Sequence, residues 1–362
     1  MGIGIQDLKN VLRLPVAWDL DYLKKWESAN SVTFDSIVTD IGSAIVLFNR
    51  SLAEGYWAQY VRATTDLNTE YATGAGGTLQ KIGEYSRPDP VTGETTGHML
   101  PMDDYGGALG WTYLAMRRMR NTRYESDIQT LISRSRNTWE IALLTRLFKS
   151  TADTVGATGK SVPFADGGVA DSDYIPLPFG GKTFANTHTH YIRQTDDQSG
   201  RAAYLSASAD HLIEHGFSAP FDLVIPEADV ADWAVSAIGF KRPQRQSIIT
   251  SGVETRAAID ENEYLGMIEI DRAWFRVKTT PRLPANYAGT FKVFGANDAQ
   301  SPLAVRYEEG YPLGLSLVGE VRDFPLQEAI AYFVFGFGVN NRLAGVPGYF
   351  NASGSYVSPT IN

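Results

Sequence analysis

Histidine supplies the clearest chemical motif in this sequence. His211-Leu212-Ile213-Glu214-His215 reproduces the H-x-x-E-H spacing in which two imidazoles one helical turn apart hold zinc and the intervening Glu serves as base. The helix that would carry it is short and ends at Gly216. The region beyond offers Glu254, Glu261, Glu263 and Glu269 without a second helical motif to place a third ligand. Two histidines near a helix C-terminus are also favoured by the helix dipole alone. The motif therefore reads as a structural helix, with a zinc metallopeptidase using His211, Glu214 and His215 as a rival reading. In Thr187-His188-Thr189-His190 both imidazoles would share one face if the segment is a strand. A polar loop is the expectation, and metal pairing with His211 and His215 stays open. The third candidate, Thr154 to Ser161 (TVGATGKS), matches a phosphate-binding loop except that Thr154 replaces the leading glycine. Such a loop needs a strand before it and a helix after it. Here a long helix precedes and Val162-Pro163 follows, so an ordinary Gly-Thr loop is expected. No catalytic, cofactor-binding or metal-ligating residue is assigned, and no cofactor.

Composition narrows the function further. The chain has 362 residues, 43% of them hydrophobic and 20% charged, enough to bury one or two globular cores. The absence of cysteine removes disulfides, thiolate catalysis and thiolate metal sites together. A formal charge of −9 argues against tight general binding to nucleic-acid phosphates, while a wall that repels DNA remains compatible with enclosing it. Arg117, Arg118, Arg120 and Arg123 form one basic patch, read as a solvated or inter-subunit surface. No apolar run approaches the roughly 20 residues that span a bilayer, and the N-terminus lacks a signal-peptide core; a soluble protein made in the cytoplasm is expected.

The elements that must position these residues fall in a definite order. Residues 1–54 read as helices with breaks, the last carrying Phe34, Ile37, Val38, Ile41, Ile45, Phe48 and Leu52 at spacings of three and four. From Tyr56 to Gly110 the pattern is extended and glycine-punctuated, with turns at Gly74 to Gly77 and Ser86 to Gly93. It reads as a long two-stranded hairpin too exposed to be stable alone. Thr122-Arg123-Tyr124-Glu125 fits a capping box and opens a helix to about Lys149, with Arg134, Arg136, Glu140 and Arg146 decorating its polar side. Beyond lie loops at 150–200, a helix at about Ser206–His215, a buried strand Phe221 to Pro226, and a helix from Glu227 to about Ile238. Strands and turns fill 265–325, and an apolar return strand runs from Gln327 towards Val346.

In that order the pieces resemble the tailed-phage major capsid proteins of the HK97 fold. Lys182-Thr183-Phe184 with His188 and His190, then Leu205 to Ser208, then Leu223 to Pro226, is similar to the middle of several such families, and Phe335 to Ala344 resembles their terminal strand and turn. The resemblance implies an α+β capsid fold. Its parts would be an N-terminal arm (1–54), an extended loop (55–110), a peripheral domain (111–217) with spine helix 122–149, an axial domain (218–324) and return strands with a tail (325–362). It implies self-assembly into hexamers and pentamers of an icosahedral virion shell around double-stranded DNA, alongside scaffolding, portal and possibly decoration proteins, with no enzymatic role and no membrane. An encapsulin-like nanocompartment shell is the alternative on the same fold. Some members weld their loops through a Lys and an Asn. Lys81 lies in the loop here, but no Asn and Glu match the pattern, so no cross-link is expected.

Overall fold

The computed structural model describes residues 34–73, 94–112, 115, 118, 121–155, 159–167, 174–242, 247–250, 253–256, 264–271, 273–321 and 326–362. The expected helices before residue 34, the turns at 74–77 and 86–93, and Lys81 lie outside them. The described residues begin with α1 (Phe34–Glu54), a 3-10 turn (Tyr56–Tyr60), β1 (Val61–Thr64), β2 (Asn68–Thr73), β3 (Glu94–Met99) and β4 (Asp103–Thr112). It continues through α2 (Asn121–Phe148), β5 (Asp153–Val155), β6 (Gly159–Ser161), β7 (Ile192–Gln194), α3 (Gln198–Glu214) and β8 (Phe221–Pro226). After a short helix, α4 (Val230–Trp233), come β9 (Phe240–Lys241), β10 (Ser247–Thr250), β11 (Val253–Arg256), β12 (Gly266–Ile270) and β13 (Ala273–Thr280). The last strands are β14 (Tyr287–Phe291), β15 (Leu303–Arg306), β16 (Leu315–Val321), β17 (Leu326–Val339) and β18 (Gly345–Phe350).

The chain divides into two units, one of residues 1–52, 104–138 and 310–334, the other of 53–103, 139–309 and 335–362. In the first, the stripe read from sequence packs as expected: Ile37, Ile41, Ile45 and Phe48 are buried, and Phe48 meets Phe333 edge-on at 5.8 Å. Asn49 fixes α1 to β16 by donating to the Leu315 carbonyl at 2.9 Å and accepting from its amide at 2.8 Å. β16 pairs antiparallel with the start of β17, with a bulge between Leu317 and Gly319.

The second unit is built on a seven-stranded sheet of order β7-β18-β14-β8-β13-β12-β9. β8 sits inside it with all six residues buried, and its two-residue period divides the core. Phe221, Leu223 and Ile225 join Tyr204, Leu205, Ala209 and Leu212 of α3 in one apolar cluster with Phe275, Val277, Val346 and Phe350. Burying each such side chain contributes about 1.5–3 kcal/mol. On the opposite face, Tyr60, Phe148 and Phe164 surround Phe291 at ring distances of 5.8, 5.9 and 6.1 Å.

That second face also carries a buried charge. Asp222 is fully buried, pairs with Arg276 at 2.6 Å and accepts from the Tyr60 and Tyr56 hydroxyls at 3.0 and 3.1 Å. Burial pushes its carboxyl above the usual range, with Arg276 and the two tyrosines opposing that shift.

Four expectations are corrected. The extended segment is not one hairpin: Tyr56–Tyr60 forms a 3-10 turn, β1 pairs in parallel with β15, β4 joins β17, and among the described residues of the segment only β2 and β3 form a ladder with each other. Partners distant in sequence capture backbone donors and acceptors that a local hairpin would otherwise use. α3 begins eight residues before Ser206, because Asp197 caps it by accepting from the Gly200 amide at 2.6 Å. Gly200 looks like a helix breaker, yet any Cβ there would strike the Thr195 carbonyl. The helix expected from Glu227 to Ile238 is broken into a 3-10 turn, α4 and another 3-10 turn. Asp229, inside that stretch, accepts from the Asn286 amide at 2.7 Å instead of capping α4. Arg146 does not decorate a polar side: it is 3% exposed, pairs with Asp153 at 3.0 Å and donates to the Lys149 carbonyl at 2.7 Å.

Replacing Asp222 with Ala leaves the half-buried Arg276 guanidinium without its counter-charge and two tyrosine hydroxyls without an acceptor. A loss of about 3 kcal/mol is expected. Urea unfolding of unassembled subunits, followed by Trp fluorescence, measures it, and an unchanged midpoint would mean that the network contributes nothing.

Candidate functional site

The two histidine pairs come together. α3 carries His211 in its last turn and His215 at its C-cap, so one helical turn sets both rings on the same side. The segment leading into β7 is held by the His190 amide, which donates to the Ala165 carbonyl at 2.7 Å, and by a bridge between Asp166 and Thr189. With this anchoring, His188 and His190 both reach the end of α3. One nitrogen from each of the four rings lies within 4.8 Å of the other three.

Contacts within the group are close. His188 Nε2 is 3.3 Å from His190 Nε2 and 2.8 Å from His215 Nε2. The His188 ring stacks on His211 at 4.5 Å, and His190 stacks on His215 at 5.0 Å. His190 is fully buried, and its Nδ1–H donates to the Gly345 carbonyl at 2.9 Å, which leaves Nε2 as a lone pair facing the other rings. His211 Nε2 and His215 Nδ1 are buried without a hydrogen-bond partner. Each such orphan costs about 1–3 kcal/mol. Phe184 covers the group, stacking on His215 at 4.3 Å and meeting His188 at 4.8 Å.

Electrostatics keep the rings neutral. Burial lowers all four imidazoles, most plainly His190, which is held well below its ordinary range with its three neighbours adding to the effect. His188 falls to about 4 through burial and the proximity of His211, and His215 to about 3 through burial with His188 and His211 nearby. His211 is lowered by burial, with Glu214 opposing. The Glu214 carboxylate itself pairs with Lys182 at 2.9 Å on a solvent-exposed edge. It is engaged there as an ion-pair partner, whereas the peptidase reading requires it as a base beside the metal.

The phosphate-loop reading does not survive. β5 and β6 lie on either side of residues 156–158 in the sequence and pair antiparallel from Asp153↔Ser161 to Val155↔Gly159. A hairpin offers no helix N-terminus to an anion. Within the histidine group, the features sequence reading missed are the Gly345 carbonyl and the Phe184 cover. Phe184 could have been found from its position four residues before His188; a backbone acceptor leaves no trace in residue type.

Compared with protein-family models and with curated proteins, the sequence matches none. Solved structures are similar in fold. A chain from Mycobacterium phage Patience superimposes with a TM-score of 0.63 at 16% identity, covering 92% of each chain. The mature capsid of bacteriophage PhiM1 gives a TM-score of 0.50 at 8% identity over 82% of this chain and 87% of that one. An encapsulin complex from Synechococcus elongatus, at a TM-score of 0.40 and 9% identity over 85% and 91%, is too remote to weigh in the comparison. From these likenesses and the mixed helices and sheets described above, the chain has the HK97-like fold of tailed-phage capsids.

Proposed function

We propose that the chain is a major capsid protein that assembles into hexamers and pentamers of an icosahedral shell enclosing double-stranded DNA. The observation that carries this reading is the likeness in fold to the PhiM1 mature capsid over 82% of this chain and 87% of that one, beside the likeness to a phage Patience chain over 92% of both chains. In this proposal α2 is the spine, residues 218–324 form the axial domain around capsomer axes, and residues 55–110 are the loop that lies over a neighbour. Scaffolding, portal and decoration proteins would be its partners, and the virion its location. The charge of −9 suits a wall that holds DNA without gripping it.

Two further features support the assembly role. The β2–β3 ladder stands as a two-stranded sheet of its own, and such a sheet is marginal by itself in water. Its root is nevertheless fixed: Tyr71 packs against Val162, Ala165 and Tyr174 and donates its hydroxyl to the Val339 carbonyl at 2.6 Å. An anchored root suits an arm that reaches outward. Large apolar side chains also remain in water. Trp274 is 55% exposed and shares the outer face of the β12–β13 pair with Met267. A large exposed aromatic is the type of residue that dominates protein interfaces, and its occupant in this proposal is a second copy of the chain.

The peptidase reading finds less support. Catalytic zinc keeps one position open for water, whereas four imidazoles converge here and Glu214 is held by Lys182.

Electron microscopy of the purified protein should show closed icosahedral particles containing DNA when made in infected cells; particles filled with a cargo protein would point to a nanocompartment instead. Replacing residues 74–93 with a short Gly-Ser turn should leave the β2–β3 ladder and a folded subunit, with closed shells lost. Normal shells from that variant would remove the arm from the assembly mechanism. Trp274→Ala should shift unfolding stability by less than about 1 kcal/mol, since more than half of the side chain is already in water, while lowering the yield of shells at a given concentration. Sedimentation measures the yield, and an unchanged yield would free this face of an assembly role.

A further inference from the structure

Four of the five histidines in the sequence meet at one point of the larger unit, although they arrive from two separate segments. Random burial does not favour this arrangement. Four neutral imidazoles turned towards one another bring nitrogen lone pairs together, and hydrogen bonds among them can satisfy only some. We propose that His188, His190, His211 and His215 are the four ligands of a structural zinc ion. This proposal is independent of the capsid reading.

Geometry is the first support. A tetrahedral zinc ion at about 2.0–2.1 Å from each nitrogen requires nitrogens about 3.3–3.4 Å apart. The His188–His190 separation is 3.3 Å, the His188–His215 separation is 2.8 Å, and all four ligand atoms fall within 4.8 Å of one another. These separations bracket the tetrahedral value. Orientation is the second support. Metal-bound histidine usually donates its remote N–H to a carbonyl or carboxylate, which fixes the tautomer, and His190 does so to Gly345. The unpartnered His211 Nε2 gains in a metal ion the partner it lacks.

Ligand chemistry selects the ion. The set holds nitrogen alone, without the carboxylate or carbonyl oxygens that calcium and magnesium require. Imidazole suits zinc, copper, nickel and iron, and tetrahedral four-coordination favours zinc among them. Four protein ligands close the coordination sphere, and the Phe184 ring lies over it, so water has no position to occupy. The expected role is a staple. It ties the segment before β7 to the C-terminal end of α3 and, through Gly345, to the first residue of β18. In a chain without cysteine, this is a cross-link that a reducing compartment leaves intact.

The test uses the full chain made without a histidine tag. Elemental analysis after gel filtration should find close to one zinc per chain, and His188→Ala with His211→Ala should lower that content by about tenfold or more. Chelator should lower the unfolding temperature of the original chain, and equimolar zinc should restore it. Because the double variant could fail to fold, the original chain stripped of metal should also be titrated with cobalt(II). An intense visible spectrum of a tetrahedral nitrogen site is expected. Absent uptake of both metals with an unresponsive unfolding temperature would overturn the proposal. A weak octahedral cobalt spectrum would equally overturn the closed four-histidine site, as would full zinc content in a folded double variant.

Discussion

Helix α3 can lie flat on the central sheet because β18 presents a glycine, not a side chain, beneath it. Any Cβ at Gly348 would enter the ring of Tyr204. With that space open, Tyr204 is fully buried, packs edge-on against Phe350 at 5.4 Å and donates its hydroxyl to the Val346 carbonyl at 2.6 Å. Thr290 donates to the same hydroxyl at 3.2 Å and shares a hydrogen bond with Ser208 at 3.1 Å. The hydroxyls of Tyr204, Thr290 and Ser208 are thus partnered as the apolar face of the helix is buried, which is the condition for burying them at low cost. The helix is sealed at its start by Arg201, 4% exposed, which pairs with Asp196 at 2.8 Å and Asp232 at 3.1 Å while its guanidinium lies over Trp233 at 5.8 Å.

Once α3 is seated, the rest of the larger unit is constrained. Its C-terminal turn delivers His211 and His215 to one place, and β18, hydrogen-bonded in parallel to β7, brings Gly345 and the His188–His190 segment to meet them. The turn between β17 and β18 is fixed from another direction. Arg342 is 1% exposed, donates to the Pro163 carbonyl at 3.1 Å and stacks over Tyr174 at 4.2 Å. Tyr174 and Tyr71 belong to the small cluster that roots the β2–β3 ladder. The proposed arm is therefore rooted in the same unit as the proposed zinc site.

The proposed shell subunit would face two demands that conflict in an ordinary globular protein. Its body must be rigid enough to transmit geometry between neighbours, while its edges must stay unfinished until a neighbour arrives. Here the firmly packed part is the seven-stranded sheet, buried on both faces at β8, where the fully buried Asp222 pairs with the half-buried Arg276. Exposed apolar residues such as Val46 and Leu47, at 66% and 67% exposure, lie on the outer side of α1, the helix whose inner side buries Ile37, Ile41, Ile45 and Phe48.

Local pattern was sufficient wherever one periodic face met one core. The α1 stripe, the α2 helix within one residue at each end, and the buried strand at Phe221 to Pro226 all follow from spacing, because a 3.6- or 2-residue period reports which side is dry. Cysteine content likewise settled by itself that no disulfide or thiolate site exists. Pattern failed where long-range partners compete for the backbone. β1 and β4 left the expected hairpin for β15 and β17, and Gly200 concealed a helix start whose cap is the Asp197 side chain. The histidines show the boundary most clearly. Sequence supplied two pairs, each with an ordinary explanation, and only the seating of α3 against β18 and β7 placed four nitrogens within reach of one ion. Proximity between segments depends on how elements pack, and a residue's own neighbours in the chain do not record it.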